Sequence, residues 1–302
     1  MPKSQLYQKV SLAKPLYIIL FCFTAFACAK QMQTLPPQKT FTLPTPPGQK
    51  GKFQVVAYDT HIILLGLKDS ETEETIPLLF DTGSDVSFLA EEYHPKVGAL
   101  FWAGEVYQFA VKKGILPPGI EGILGSDFFK QTCIWWDGDQ ITVYDWHSSV
   151  CQRPEAYFST ALKLLVTQKK QAFYYIKHIK DGKSYWSLAD TGASLSILPD
   201  SYQEGAESLG MKKVFYAGGS IHEIPLFYAK GPLSFETSQG NTVSFFDFSF
   251  LGGISLEKLE LPREKDREGV WVIGLQILGR VPLFWDFERN RIGLYTQTLN
   301  IH

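Results

Sequence analysis

One short stretch occurs twice in this sequence. Residues 80–89 read "FDTGSDVSFL" and residues 189–198 read "ADTGASLSIL", so an Asp-Thr-Gly turn follows an apolar run and precedes alternating apolar residues at both places. A single Asp-Thr-Gly arises by chance in a chain of this length about one time in twenty at ordinary residue frequencies. Two in the same local context mark an internal duplication, which restricts the possible folds more than composition does.

Further landmarks recur in the same order. Downstream of Asp81 comes "GILGSDFFKQTCIWWDGDQITVY", and downstream of Asp190 comes "WVIGLQILGRVPLFWDFERNRIGLY". With Gly125 matched to Gly274, each glycine follows two aliphatic residues, Ile123 and Leu124 or Val272 and Ile273. Each is followed twelve positions later by an acid preceded by Trp, Asp137 or Asp286. Matching Gly279 instead breaks this spacing. Between the landmarks, "LFWAGEVYQFAV" (100–111) parallels "VFYAGGSIHEIPL" (214–226), and both are expected to be hairpins turning at Ala-Gly.

The segments between these landmarks have strand character. "KFQVVAYDTHIILLGLK" and "TIPLLF" lead to Asp81, and "STALKLLVTQ", "QAFYYIKHIK" and "SYWSLA" lead to Asp190, with "DGK" as a tight turn. The expected fold class is all-β, in two homologous β-barrel-like lobes: residues 52–152 form the N-terminal lobe and 153–302 the C-terminal one. Nearly half of the residues are apolar and 14% aromatic, enough to fill both cores. The net charge of −2 carries no long run of one sign, which argues against nucleic acid as a partner.

Residues 1–27 have the pattern of an export signal: Lys3, Lys9 and Lys14 precede the apolar run "PLYIILFCFTAFA", which is too short to span a bilayer. Ala25 and Ala27 suit ordinary signal peptidase, while "AFAC" resembles a bacterial lipobox with Cys28 as the lipidated residue. Residues 28–51 are rich in Pro, Lys, Gln and Thr and form a Pro-rich tether, which favours the lipid-anchored reading. The expected location is a bacterial cell envelope, otherwise periplasmic or secreted, with membrane contact only through the anchor. Cys133 and Cys151 remain after processing; they flank a predicted hairpin and form either a disulfide or two buried thiols.

The two Asp loops, the two aliphatic-Gly elements and "FWDFERNRIGLY" resemble the aspartic peptidases of the pepsin and retropepsin group. The resemblance covers residues 52–300. Two lobes in one chain are pepsin-like, but acids 109 residues apart and the "DTGA" loop are closer to two fused retropepsin units. The resemblance implies that Asp81 and Asp190 are the catalytic pair, activating a water by general acid/base catalysis on an extended peptide or protein. It implies support from Thr82, Gly83, Ser84, Thr191, Gly192 and Ala193, the threonines cross-bonding between lobes. Ser84 is expected to hydrogen-bond Asp81 where Ala193 cannot do the same for Asp190, an inequality expected to move the working pH upward.

Asp85 stands where retropepsins bind the substrate backbone, although a solvated turn acid is an equal reading. Flap candidates are Trp102, Gly104 and Tyr107 in the first half and Gly218 and Gly219 in the second, with packed aromatic surface as the plain reading of Trp102 and Tyr107. No metal motif, nucleotide loop or Gly-x-Ser-x-Gly is present in the sequence, so no cofactor is expected. Two acids in one chain make a monomer the expected state. The alternatives are a catalytically inactive bilobal scaffold that binds peptides or inhibits another enzyme, and a structural envelope protein.

Overall fold

β-Branched and aromatic residues recur in short runs punctuated by Gly, Asp and Pro, which favours many brief strands over helices. The computed structural model describes residues 48–58, 61–94, 98–113, 116–153, 160–167, 173–215, 221–253 and 271–295. The signal segment, Cys28, the tether up to residue 47, Gly218 and Gly219 lie outside the described residues.

The first half contributes β1 (Gln49–Tyr58), β2 (His61–Leu65), β3 (Lys68–Asp69), β4 (Leu78–Phe80) and β5 (Phe88–Ala90). It continues with β6 (Gly98–Trp102), β7 (Glu105–Lys112), β8 (Gly122–Leu124), β9 (Thr132–Trp136), β10 (Gln140–Asp145) and a helical turn, α1 (Ser149–Gln152). The second half begins with β11 (Thr160–Ala161), β12 (Leu164–Thr167), β13 (Phe173–Lys180), β14 (Lys183–Ala189) and β15 (Ser196–Ile197). There follow β16 (Glu207–Phe215), β17 (Ile221–Ala229), β18 (Leu233–Glu236), β19 (Thr242–Phe245) and β20 (Phe248–Leu251). It closes with β21 (Trp271–Ile273), α2 (Leu275–Leu278), β22 (Leu283–Asp286) and β23 (Arg291–Leu294). Among the described residues these strands form two large sheets, of thirteen and ten strands, so the chain is all-β as its alternation predicts.

The duplication is visible in the pairing. In the first half β4 runs parallel to β8, β8 antiparallel to β5, and β5 parallel to β7. In the second, β14, β21, β15 and β20 repeat that order and those directions. Phe80 lies opposite Leu124 and Ala189 opposite Ile273, so each aliphatic-Gly element is wedged between the strand that delivers an acid and the strand that leaves it.

The flanking strands correct one sequence expectation. β6 lies on β3, with Lys68 opposite Phe101, and in the second half β18 takes the matching place on β13, with Ile179 opposite Ser234. Since β7 and β20 are likewise matched, the β6–β7 hairpin corresponds to β18 with β19 and β20. It does not correspond to β16–β17, as the Ala-Gly similarity suggested. The reason is that Ala103 and Gly104 both have positive φ, 53° and 87°, which any two-residue hairpin turn of this kind requires wherever its strands pair.

The two halves meet through their closing hairpins. β22 pairs with β9 from Leu283 opposite Trp136 to Asp286 opposite Cys133, so a second-half hairpin completes the first sheet. The described residues all fall within one compact unit. Asp286 is fully buried at this joint; it accepts Arg291 Nη2 at 2.8 Å, and Arg291 also donates to the Cys151 carbonyl at 3.1 Å. Cys133 and Cys151, left open by the sequence, are joined by a disulfide, with Cα atoms 5.7 Å apart. Aromatic rings fill the core: Phe53 stacks on Trp102 with centroids 4.6 Å apart, and Trp285 stacks on Phe287 at 5.1 Å.

Candidate active site

β4 and β14 end in buried Phe80 and Ala189, and the next residue in each case is an acid. Its own amide is tied down: Asp81 N–H donates to Leu124 O at 3.1 Å and Asp190 N–H to Ile273 O at 3.0 Å. The side chain then folds over the following turn, as Asp does when it caps its neighbours' amides. Asp81 Oδ1 accepts from the amides of Gly83 (2.9 Å) and Ser84 (3.1 Å). Asp190 Oδ1 accepts from Gly192 and Ala193 at the same two distances, 2.9 and 3.1 Å.

The loops are locked to each other. Thr82 N–H donates to Thr191 Oγ1 at 3.0 Å, and Thr191 N–H to Thr82 Oγ1 at 3.1 Å. The hydroxyls reach onward, Thr82 to Ala189 O and Thr191 to Phe80 O, both at 2.9 Å. Each threonine thus holds the carbonyl immediately before the other half's acid. Both are buried, so these bonds are shielded from competing water.

Glycine follows because the loops pack face to face. A Cβ on Gly83 would lie 2.6 Å from Asp190 Cγ, and one on Gly192 would lie 2.5 Å from Asp81 Cγ. Gly125 and Gly274 are required for the same reason: a Cβ there would sit 2.8 Å from Ser84 O or 2.6 Å from Ala193 O. The glycine choice made from the twelve-residue spacing therefore corresponds to equivalent contacts, and Gly279 instead caps α2.

The two carboxyls face one another and act on each other's protonation. Burial, then the charge of Asp190, holds Asp81 well above the ordinary carboxylate range. Burial also raises Asp190, partly offset by hydrogen bonds from Asp81 and from the amides of Ala193 and Gly192. Both acids keep part of their surface open to solvent. An acidic pair that resists losing both protons, yet is reachable by water, can accept a proton at one oxygen and donate one from another.

Two sequence expectations are corrected. The Ser84 hydroxyl donates to Val86 O at 2.9 Å and not to Asp81, because a serine in a turn readily bonds the carbonyl two residues on; only its amide reaches the acid. Ser84 and Ala193 therefore serve the two acids alike, and the expected inequality in working pH loses its basis. Trp102 is buried against Phe53 and Phe128, with its indole N–H directed at Lys52 O (3.4 Å), so it is a core residue and not a covering one. Tyr107 is half-buried beside it and donates to Glu105 Oε2 at 2.7 Å. Gly104 serves the turn. Asp85 is half-buried in the Asp81 loop.

Sequence reasoning missed two serines. Ser87 Oγ accepts from Gly125 N–H at 2.9 Å and Ser196 Oγ from Gly274 N–H at 3.0 Å, tying each Asp loop to its glycine element. The signal was present: each serine stands six positions after its acid. Behind Ser87, Asp127 Oδ1 accepts from the Ser87 amide (2.8 Å) and hydroxyl (2.5 Å), whereas the second half carries Gln276 at that place.

No protein-family model matches this chain, and no curated protein matches it.

Proposed function

We propose that this chain is an aspartic endopeptidase of the pepsin and retropepsin kind, with one acid from each of two lobes. The observation that carries this reading is the paired site itself: Asp81 and Asp190 sit on loops with the same internal bonds, locked by reciprocal threonine contacts and packed so that each glycine abuts the opposite carboxyl. An extended peptide lies across the pair. One carboxylate oxygen takes a proton from a water as its oxygen attacks the scissile carbonyl carbon, and the protonated carboxyl gives its proton to the carbonyl oxygen. Collapse of the tetrahedral intermediate re-forms a C=O and breaks the C–N bond: one of its hydroxyls returns a proton to the second carboxylate, and the proton held by the first carboxyl passes to the leaving amine. The pair ends in its starting state, with one proton shared.

The Cys133–Cys151 disulfide supports an oxidising compartment and hence the export reading of residues 1–27. In that reading Cys28 carries the lipid, residues 28–51 tether the peptidase to the envelope, and the catalytic unit is a monomer; mass spectrometry of the mature N-terminus tests the anchor. Titration with a statine-containing peptide, which mimics the tetrahedral intermediate, tests the site. Saturable binding lost in both Asp81→Asn and Asp190→Asn is expected; binding that survives both substitutions contradicts the proposal.

A further inference from the structure

The two halves differ most in the length of chain between the strand that leaves each acid loop and the next strand they share. From β5 to β6 the first half has only residues 91–97, whereas from β15 to β18 the second half has residues 198–232, which include the β16–β17 hairpin. β17 lies antiparallel on β20, outside the four-strand unit common to both halves. Among the described residues, the matching side of β7 at Ala110–Lys112 carries no such hairpin.

The faces of β16–β17 are unequal. Val214 lies across from His222, and Ile224 and Leu226 follow at alternate positions, so all share one face. That face packs in one apolar cluster with Ala193 and Leu195, the residues directly after the Asp190 turn, and Ala193 is itself a donor to Asp190. The opposite face carries Met211 and Ile221, more than half exposed, and the Lys213–Glu223 pair. A bulge between Ser208 and Gly210, with Gly210 at φ +94°, bends β16 near its root.

The β6–β7 hairpin is anchored differently. Its turn is clamped to β1: a Cβ on Gly51 would lie 2.6 Å from Trp102 Cζ2 and 3.0 Å from Ala103 Cβ, and Trp102 stacks on Phe53. A hairpin fixed at its tip cannot open and close over a substrate.

We propose that the β16–β17 hairpin alone covers the Asp81/Asp190 pair, so that a peptide is gripped from the second half only, with Val214 as a contact on the hairpin's inner face. This rests on the peptidase reading above. The single cover makes the site one-sided although the acids and their loops are nearly two-fold symmetric. Residues flanking the scissile bond on the hairpin's side are selected more strongly than those on the other.

The test combines hydrogen exchange on the full chain, with and without a saturating statine-containing peptide, and steady-state cleavage of a peptide substrate. Added protection is expected in Lys212–Val214 and His222–Leu226 and not in Gly98–Lys112. Val214→Ser should raise KM about tenfold with kcat within a factor of two, as expected when one apolar contact is lost. Phe101→Ser and Val106→Ser, on the exposed face of β6–β7, should leave both constants unchanged. Equal protection of both hairpins, or a KM rise in Val106→Ser matching that in Val214→Ser, overturns the single-cover proposal while leaving the peptidase reading intact. Absence of both cleavage and analogue-induced protection in the unaltered protein overturns the peptidase reading and this inference with it.

Discussion

Thr82 and Thr191 each accept the other's backbone amide on a side-chain hydroxyl, at 3.1 and 3.0 Å, across 109 residues of sequence. Thr82→Ala removes the acceptor for the buried Thr191 amide and the donor to Ala189 O. Leaving buried polar groups unpaired costs about 1–3 kcal/mol each, so a loss of roughly 2–4 kcal/mol in urea-unfolding free energy is expected. Thr82→Ser keeps the hydroxyl and should lose less than half of that. Equal losses in the two variants would mean that the methyl group, not the hydrogen bonds, holds the loops.

The acid pair has a consequence for stability that does not depend on the proposed activity. Asp81 is held well above its ordinary 3.8, so the folded state keeps a proton that the unfolded chain releases. In that window the folded state binds more protons, and stability falls as pH rises. Asp81→Asn removes the conflict and should melt at a higher temperature than the unaltered protein at pH 7, with the difference shrinking as pH approaches the ordinary carboxylate value. Thermal melts across pH 3–8 measure it; a lower melting temperature for Asp81→Asn at pH 7 would contradict the assignment.

His178 acts in the opposite direction. It has no exposed surface, its Nδ1 and Nε2 lie 3.0 and 2.7 Å from Tyr202 Oη and Ser187 Oγ, and Tyr185 stacks on its ring. Burial pushes its pKa down from 6.5 to about 3, so below pH 6.5 the unfolded chain binds a proton that the folded one refuses. The His178 contribution to stability is present above pH 6.5 and is lost progressively as pH falls towards 3, by a few kcal/mol in total. His178→Phe should flatten this acid limb in urea titrations at pH 4 and pH 7.

The disulfide closes a loop with a sequence separation of 18 residues next to the joint where Arg291 meets the Cys151 carbonyl. Cross-links around loops of that size contribute about 3 kcal/mol, so the double variant Cys133→Ala, Cys151→Ala should lose close to that amount. Calorimetry under identical buffer conditions checks it.

Legibility in the sequence followed how local the physics was. The Asp-Thr-Gly turns and the Gly125 and Gly274 elements were readable because each is fixed by a few neighbouring residues and by spacing. The equivalence of the hairpins was misread because the Ala-Gly turn records only a local backbone need, while the strand on which a hairpin pairs is set by distant residues such as Lys68 and Phe101. Ser84 misled for a similar reason: its hydroxyl had two acceptors in reach, and only geometry chooses Val86 O over Asp81. The ladder between β9 and β22 left no mark in the sequence, since both strands are apolar runs that would suit any buried sheet.

Asp81 and Asp190 are proposed to act together on a peptide bond. The most direct measurement is cleavage of an unfolded protein substrate, followed by mass spectrometry of the products between pH 3 and pH 8, for the unaltered chain and for Asp81→Asn and Asp190→Asn. Cleavage by the unaltered chain and a loss of at least a thousandfold in each variant is the predicted result. Cleavage by either variant at the unaltered rate would contradict it.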